Sequence, residues 1–149
     1  MMAAHLAICY DSPTFEAGTV MDRATMLQTI DAAYAARQRG DLAGILELLS
    51  PGATFRMVGV SAGPEDAETA IGGLIDQFHF ADLERLDALV DGDRVAARVR
   101  ISAATGGGRH VESELLDIWR FGADGKIIEL VEFADTGLIG VMLATAPDY

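Results

Sequence analysis

The sequence has one cysteine and few basic residues, and each scarcity excludes a class of protein. Cys9 is the single cysteine among 149 residues, which rules out an intrachain disulfide or a multi-cysteine metal site and fits the reducing cytoplasm. The 11 Lys and Arg residues form no cluster and stand against 23 Asp and Glu, for a net charge of −12. That charge repels phosphate backbones and anionic lipids, so we expect neither nucleic acid nor membrane partners.

The start of the chain lacks the features of a targeting segment. Its first residues, MMAAHLAICY, have no positive stretch and no small-residue cleavage site, and their apolar run is shorter than the roughly 20 residues that span a membrane. Residues 1–22 show no sustained periodicity and contain Ser12, Pro13 and Gly18. This pattern predicts an irregular arm ahead of the folded domain.

The sequence is rich in apolar residues. Half of its residues are hydrophobic, 23% are charged and the mean hydropathy is +0.24, a composition that can offset the entropy lost when the chain is ordered. A chain of this length suits one domain. We therefore expect a single domain over residues 23–149.

The first half of this domain carries helical patterns. Apolar residues recur every three or four positions over residues 23–40, which predicts an amphipathic helix that ends at a glycine. Asp41 is placed to cap a second helix that runs to about Leu49. Residues 53–58 predict a short strand, and Pro64 is placed to open a third helix over residues 65–76.

The second half predicts four long strands separated by turn signals, and then a short helix. The strands fall at residues 78–90, 94–103, 109–121 and 126–133, and the helix at residues 137–144. Helices followed by an antiparallel meander are typical of an α+β domain whose helices pack on one face of the sheet.

Alternation along two of these strands assigns their faces. In the second, apolar side chains share one face, and Arg94, Arg98 and Arg100 share the other. In the third, the inner face carries Val111, Ser113, Leu115, Asp117, Trp119 and Phe121. A turn centred on residues 105–108 sets Arg98 opposite Glu114 and Arg100 opposite Glu112, so cross-strand charge pairs help to fix the register.

Two acids fall on the inner face. Asp117 lies there beside Trp119, and pairing the last two strands across a turn at residues 122–125 places Trp119 near Ile128 and Asp117 near Leu130. Glu132 then lies opposite Leu115 and diagonal to Asp117, within roughly 5 to 8 Å. Desolvation and mutual repulsion oppose the ionisation of both acids. One acid that keeps its proton and one that loses it would form an acid/base pair.

A purely structural role for these acids stays open. Either could accept a hydrogen bond from the Tyr34 hydroxyl, the Trp119 indole or a backbone donor and simply complete the core. The residues expected to line a pocket beside the acids, several of which fit a core role equally well, are Tyr34, Phe55, Met57, His79, Leu115, Trp119 and Leu130. The three histidines lack metal-ligand spacing and glycines 106–108 precede no helix, so we expect no metal site and no cofactor.

Two stretches carry a family resemblance. TIDAAYAARQRGDLAGILELLSPGATFRMV resembles the start of SnoaL-like domains, and LLDIWRFGADGKIIELVEFADTGLIGVML resembles their final hairpin and C-terminal helix. The resemblance covers about Thr25 to Leu143. It implies the nuclear-transport-factor-like cone of ketosteroid isomerase and limonene epoxide hydrolase: a curved antiparallel sheet, helices on its concave face, and an internal pocket for a small hydrophobic molecule.

The resemblance also implies roles for particular positions. Asp117 matches the aspartate that stays protonated in the oxyanion hole of ketosteroid isomerase, but the general-base position of that enzyme falls at Met57 and its tyrosine position at Ala33, next to Tyr34. Asp117 and Glu132 match the two acids of the Asp-Arg-Asp set of limonene epoxide hydrolase. Leu115 occupies the position of the arginine, which argues against that hydrolysis.

We therefore expect a small-molecule enzyme that transfers a proton, in an isomerisation, cyclisation or dehydration, with Asp117 and Glu132 as its acid/base pair. The alternative is a non-catalytic module for small-molecule binding or dimerisation. The outer sheet face carries apolar side chains among its charges, which predicts a homodimer interface. These side chains are Leu116, Ile118, Val131 and Phe133.

Overall fold

The structure is a computed structural model that describes residues 21–105 and 107–143, with side chains up to residue 140. Residues 1–20, which hold most of the predicted arm together with His5 and Cys9, lie outside the described residues, as do Gly106 and Ala144. In chain order the elements are α1 (Arg23–Gln38), α2 (Leu42–Leu46), β1 (Leu49–Met57), β2 (Glu65–Asp66), α3 (Ala67–Gln77), β3 (Phe78–Asp91), β4 (Arg94–Thr105), β5 (His110–Phe121), β6 (Ile127–Phe133) and α4 (Thr136–Leu143). None of the helices in these ranges is long and apolar enough to cross a membrane.

The six strands form one sheet in the order β2-β1-β6-β5-β4-β3. β1 and β6 run parallel, and all other neighbours are antiparallel. The register of β3 against β4 shifts between Phe80 and Asp82 and again between Arg85 and Asp87, and such bulges bend a sheet. Helix α1 packs on the face that carries the buried side chains of β4. The α+β prediction of a curved sheet with helices on its inner face is confirmed.

Helix α1 forms where its periodicity predicts it. The Asp22 side chain caps its start by accepting a hydrogen bond from the Thr25 backbone N–H at 2.7 Å. Gly40 follows its end with a φ of 68°, a conformation that glycine adopts without strain. As predicted, Asp41 caps α2, through the Gly44 backbone N–H at 2.9 Å.

Three predicted boundaries in this half are wrong, one of them being the start of β1, which lies at Leu49, four residues before the predicted strand. The second helix ends at Leu46, because Leu49 already pairs with Ile127 in the parallel β1–β6 ladder, and this pairing overrides the local helical pattern. The third helix begins at Ala67 and is capped by Asp66, since residues 65–66 pair with β1 as strand β2. Pro64 therefore precedes a short strand instead of opening a helix.

The β4–β5 register differs from the prediction by two residues. Arg98 lies opposite Leu116 and Arg100 opposite Glu114, because the turn is centred one residue later, with Thr105 bonded through its N–H to the Arg109 carbonyl. Arg98 reaches Glu114 diagonally at 3.5 Å. A shift of two residues keeps every side chain on its predicted face, since strand side chains alternate with a period of two.

Candidate active site

Asp117 of β5 and Glu132 of β6 lie directly opposite each other on the inner face of the sheet. Both are buried, with exposed fractions of 0% and 1%. The sequence predicted their faces correctly but placed them diagonally. The β5–β6 register differs from the prediction by two residues and is irregular between Arg120 and Phe121, so that Asp117 lies opposite Glu132 and Trp119 opposite Leu130. Directly opposed side chains have Cβ atoms about 4.5 to 5.5 Å apart, so the acids are close neighbours.

Tyr34 of α1 joins Asp117 to Trp119. The Tyr34 hydroxyl donates a hydrogen bond to Asp117 Oδ2 at 2.7 Å and accepts one from the Trp119 indole N–H at 3.1 Å. The two rings meet edge to face, with centroids 5.5 Å apart. The bond from Tyr34 to Asp117 is the one that the structural alternative expected, and it positions the carboxyl from the helix side.

Arg37 is the residue of this site that the sequence analysis missed. Its guanidinium, on a side chain that is buried, contacts Glu132 Oε2 at 2.7 Å. Its Cζ also lies 5.0 Å from the centre of the Phe80 ring, in a cation–π arrangement. The available signal was its position on the apolar stripe of α1, three residues after Tyr34.

Burial and charge shift the pKa values of Asp117, Tyr34 and Arg37. Burial raises the pKa of Asp117 well above its ordinary value, and the charge of Glu132 raises it further; the Tyr34 hydrogen bond and the charge of Arg37 act against this rise. Burial also raises the pKa of Tyr34, with the charge of Asp117 adding to the effect, so the phenol keeps its proton. For Arg37, burial acts to lower the pKa, but the charge and hydrogen bond of Glu132 outweigh it and the pKa is raised.

Two polar atoms of the site have no hydrogen-bond partner among the described residues. They are Asp117 Oδ1 and Arg37 Nε, and both are buried. Buried polar atoms are rarely left without a partner, since each costs about 1 to 3 kcal/mol. These atoms are consequently places where a bound water or ligand can add a hydrogen bond.

A cavity of about 20 Å³ lies beside the pair, a volume that admits roughly one water molecule. Its polar lining comes from Glu132 and Arg37, whereas Asp117 does not line it. Of the residues predicted to line a pocket, Met57 and Leu115 do so here. The other lining residues are Leu74, Phe78, Phe80, Ile101, Ala103 and Ile139.

The remaining predicted pocket residues lie elsewhere. Phe55 is buried and lines a separate groove that shares Met57 with the cavity, and Leu130 is buried opposite Trp119. His79 is exposed and lines a surface groove, and it does not line the cavity beside Glu132. The physical reason is strand alternation, which turns Phe78 inward and His79 outward. Within the described part of the chain, His, Cys, Asp and Glu form no group of three that could hold a metal ion.

A comparison with models of protein families identifies the family of this chain. The family model of the SnoaL-like domain matches residues 30–130. The chain belongs to the SnoaL-like domain family. A comparison of the SnoaL-like chain with curated protein sequences found no match.

Solved structures with the same fold are numerous and distant in sequence. An NTF2-like protein of unknown function from Burkholderia pseudomallei has 18% identity and a TM-score of 0.68, over 84% of this chain and 100% of that one. An LEH-like epoxide hydrolase of M. tuberculosis has 16% identity and a TM-score of 0.66, over 80% of this chain and 90% of that one. TerC, co-crystallised with polyporic acid, has 18% identity and a TM-score of 0.65, over 79% of this chain and 97% of that one. The predicted SnoaL-like family and cone fold are confirmed.

Proposed function

We propose that this SnoaL-like protein is a small-molecule enzyme that moves a proton, with Glu132 as the base and Asp117 as a neutral acid. The observation that carries the proposal is the directly opposed, fully buried pair Asp117 and Glu132 with Arg37 bonded to one member only. Two carboxylates and one cation in an apolar interior leave an uncompensated negative charge, which a single proton removes. That proton belongs on Asp117, because Arg37 stabilises the anion of Glu132.

The two acids then have different tasks. Glu132 lines the cavity as an anion, so it can accept a proton from a carbon or oxygen placed there. Asp117 does not line the cavity, but its Oδ1 has no partner, so a proton on Asp117 can stabilise negative charge on a substrate oxygen that reaches this atom from beside Glu132. Isomerisation, cyclisation and dehydration of carbonyl compounds can each begin with removal of a proton next to the carbonyl group, and this arrangement serves that step.

Deuterium incorporation into cyclohex-3-enone in D₂O, followed by proton NMR, tests the proton transfer without knowledge of the natural substrate. The wild-type protein is expected to accelerate exchange next to the carbonyl and formation of cyclohex-2-enone. Glu132→Gln should lower the rate by ~10² to 10⁴-fold and Asp117→Asn by ~10²-fold. Glu114→Gln, an exposed carboxylate of the same strand as Asp117, is the control and should leave the rate unchanged.

No acceleration by the wild-type protein, or equal rates in Glu132→Gln and wild type, would contradict the proposal. Such a result would favour the alternative of a non-catalytic binding or dimerisation module. The small cavity beside Glu132 is the feature consistent with that alternative.

Epoxide hydrolysis is the second candidate, and Arg37 is the observation that favours it. The position that carries arginine in limonene epoxide hydrolase is Leu115 here, but α1 supplies a cation to Glu132 from the other side. The cavity holds about one water next to that carboxylate. Glu132 would take a proton from this water as it attacks the epoxide carbon, while Asp117 protonates the oxygen released from the broken C–O bond. Formation of the diol from cyclohexene oxide, with one oxygen from H₂¹⁸O, tests this candidate.

A further inference from the structure

A groove of about 270 Å³ lies outside the acid cavity, between β1, α3 and the start of α4. Its volume is near the lower end of the range for small-molecule sites, about 300 to 1,000 Å³. Its walls are largely apolar, with Phe55 and Met57 from β1, Leu74 from α3 and Ile139 from α4. The groove can therefore bury the apolar body of a small molecule.

One layer of side chains separates this groove from the acid cavity. Met57, Leu74, Phe78 and Ile139 line both spaces. Rotation of these side chains would join the groove to the cavity and expose Glu132 to a molecule already bound outside. The groove is thus separated from the cavity at Glu132 by four apolar side chains.

Gly73 keeps the groove open. It lies in the interior of α3, where glycine costs about 1 kcal/mol relative to alanine. A Cβ atom built on Gly73 meets nothing within 4 Å, and Gly73 lines the groove, so a side chain there would project into free space. The open groove gives a physical reason for a residue that weakens the helix.

The outer rim of the groove is polar. Ser61 and Glu65 lie there, and the Ser61 hydroxyl donates a hydrogen bond to Glu65 Oε2 at 3.0 Å while accepting one from the Met57 N–H. Glu65 is exposed, and its carboxylate can accept a further hydrogen bond from a hydroxyl group. The same carboxylate repels an anion. We therefore expect the rim to favour a ligand with a neutral hydrogen-bond donor over a ligand with a carboxylate.

We infer that the groove is the binding cleft for the substrate of the Asp117 and Glu132 site, and that the substrate is an uncharged molecule with an apolar body and a hydroxyl group at its outer end. The apolar body lies along Leu74 and Ile139, the hydroxyl meets Glu65, and the reactive end passes between the shared side chains toward Glu132. This inference rests on the proposed function for its inner end only. The cleft and its preference for neutral ligands can be measured without turnover.

Isothermal titration calorimetry with two matched probes, 4-phenylbutan-1-ol and 4-phenylbutyrate, tests the cleft. The alcohol is expected to bind the wild-type protein at least 10-fold more tightly than the carboxylate, and Glu65→Gln should close most of this gap. Gly73→Leu fills the groove and should weaken binding of the alcohol at least 10-fold. Gly140→Leu is the control, since Gly140 is exposed and its Cβ also meets nothing within 4 Å. Ala70→Leu fills the same groove and replaces Gly73→Leu if that variant does not fold.

Equal affinities of the alcohol for Gly73→Leu and Gly140→Leu would overturn the inference, as would tighter binding of the carboxylate or no binding of either probe. Its failure can be told apart from failure of the proposed function. Probe binding that depends on Gly73, without deuterium exchange, would refute the proposed proton transfer but not the binding cleft. Deuterium exchange at the same rate in Gly73→Leu and the wild type would refute the binding cleft but not the proposed proton transfer.

Discussion

Tyr34 and Arg37 lie three positions apart on α1, and each binds one of two opposed acids. Tyr34 donates to Asp117 and Arg37 to Glu132, both at 2.7 Å. Residues at this spacing share one face of a helix, so a single turn of α1 presents a neutral donor to one carboxyl and a cation to the other. This difference in partners makes the surroundings of the two chemically similar acids unequal.

The pH dependence of stability is expected to change in Asp117→Asn. The raised pKa of Asp117 means that folding takes up a proton, so its contribution to stability is full below the ordinary carboxyl pKa and is lost as pH rises toward the folded value. The wild-type protein should lose about 1.4 kcal/mol per pH unit in this interval relative to the variant. Urea unfolding between pH 4.5 and 8 measures both curves, and curves that stay parallel would count against a protonated Asp117.

The ion pair is expected to couple Arg37 and Glu132 strongly. Arg37→Met leaves a buried carboxylate without its cation and should lower the free energy of unfolding by about 3 to 5 kcal/mol. The double variant Arg37→Met with Glu132→Leu removes both charges and should recover most of that loss. A double-mutant cycle by urea unfolding measures the coupling. Additive losses would show that the two groups do not form the pair described.

Tyr34→Phe is expected to leave two polar groups without partners. Asp117 Oδ2 loses its donor and the Trp119 N–H loses its acceptor, and each such loss costs about 1 to 3 kcal/mol. Trp119 is the single tryptophan of the chain, so its fluorescence reports the change directly. We expect a lower midpoint of thermal unfolding together with a shifted emission maximum. An unchanged spectrum would mean that the indole N–H does not depend on Tyr34.

The outer sheet face is expected to form a homodimer interface. Leu116 and Phe133 lie directly opposite each other there and are 43% and 40% exposed. Leu116→Glu would place a charge in the centre of this patch and should convert a dimer into a monomer in light-scattering measurements. Val60→Glu, an equally apolar site that is 50% exposed but lies outside the sheet, is the control. A wild-type monomer would refute the prediction.

Strand alternation made much of the fold and the faces of both acids predictable. The β4 and β5 side chains point as predicted even though both hairpin registers were displaced, because an error of two residues leaves each side chain on the same face. The contact of Asp117 with Glu132 was less predictable. It depends on how far the two strands are displaced along each other, and Gly122, next to the irregularity at Arg120 and Phe121, does not specify that displacement.

The role of Arg37 can be predicted only in part from the pattern of helix α1. The helical spacing places it on the same stripe as Ile30, Ala33 and Tyr34, which is buried. An arginine on such a stripe indicates a buried ionic partner, but the sequence does not identify that partner. The sequence pattern does not predict the width of the cavity either, since this width depends on how closely Leu74, Phe78 and Ile139 pack.

The contact of Arg37 with Glu132 spans 95 positions of the chain. Because a protein is synthesised from its N-terminus, the helix that carries the guanidinium leaves the ribosome well before the last strand does. Until that strand is present, the guanidinium lacks Glu132 as its partner. The acid site therefore cannot be assembled before the last strand of the sheet has been synthesised.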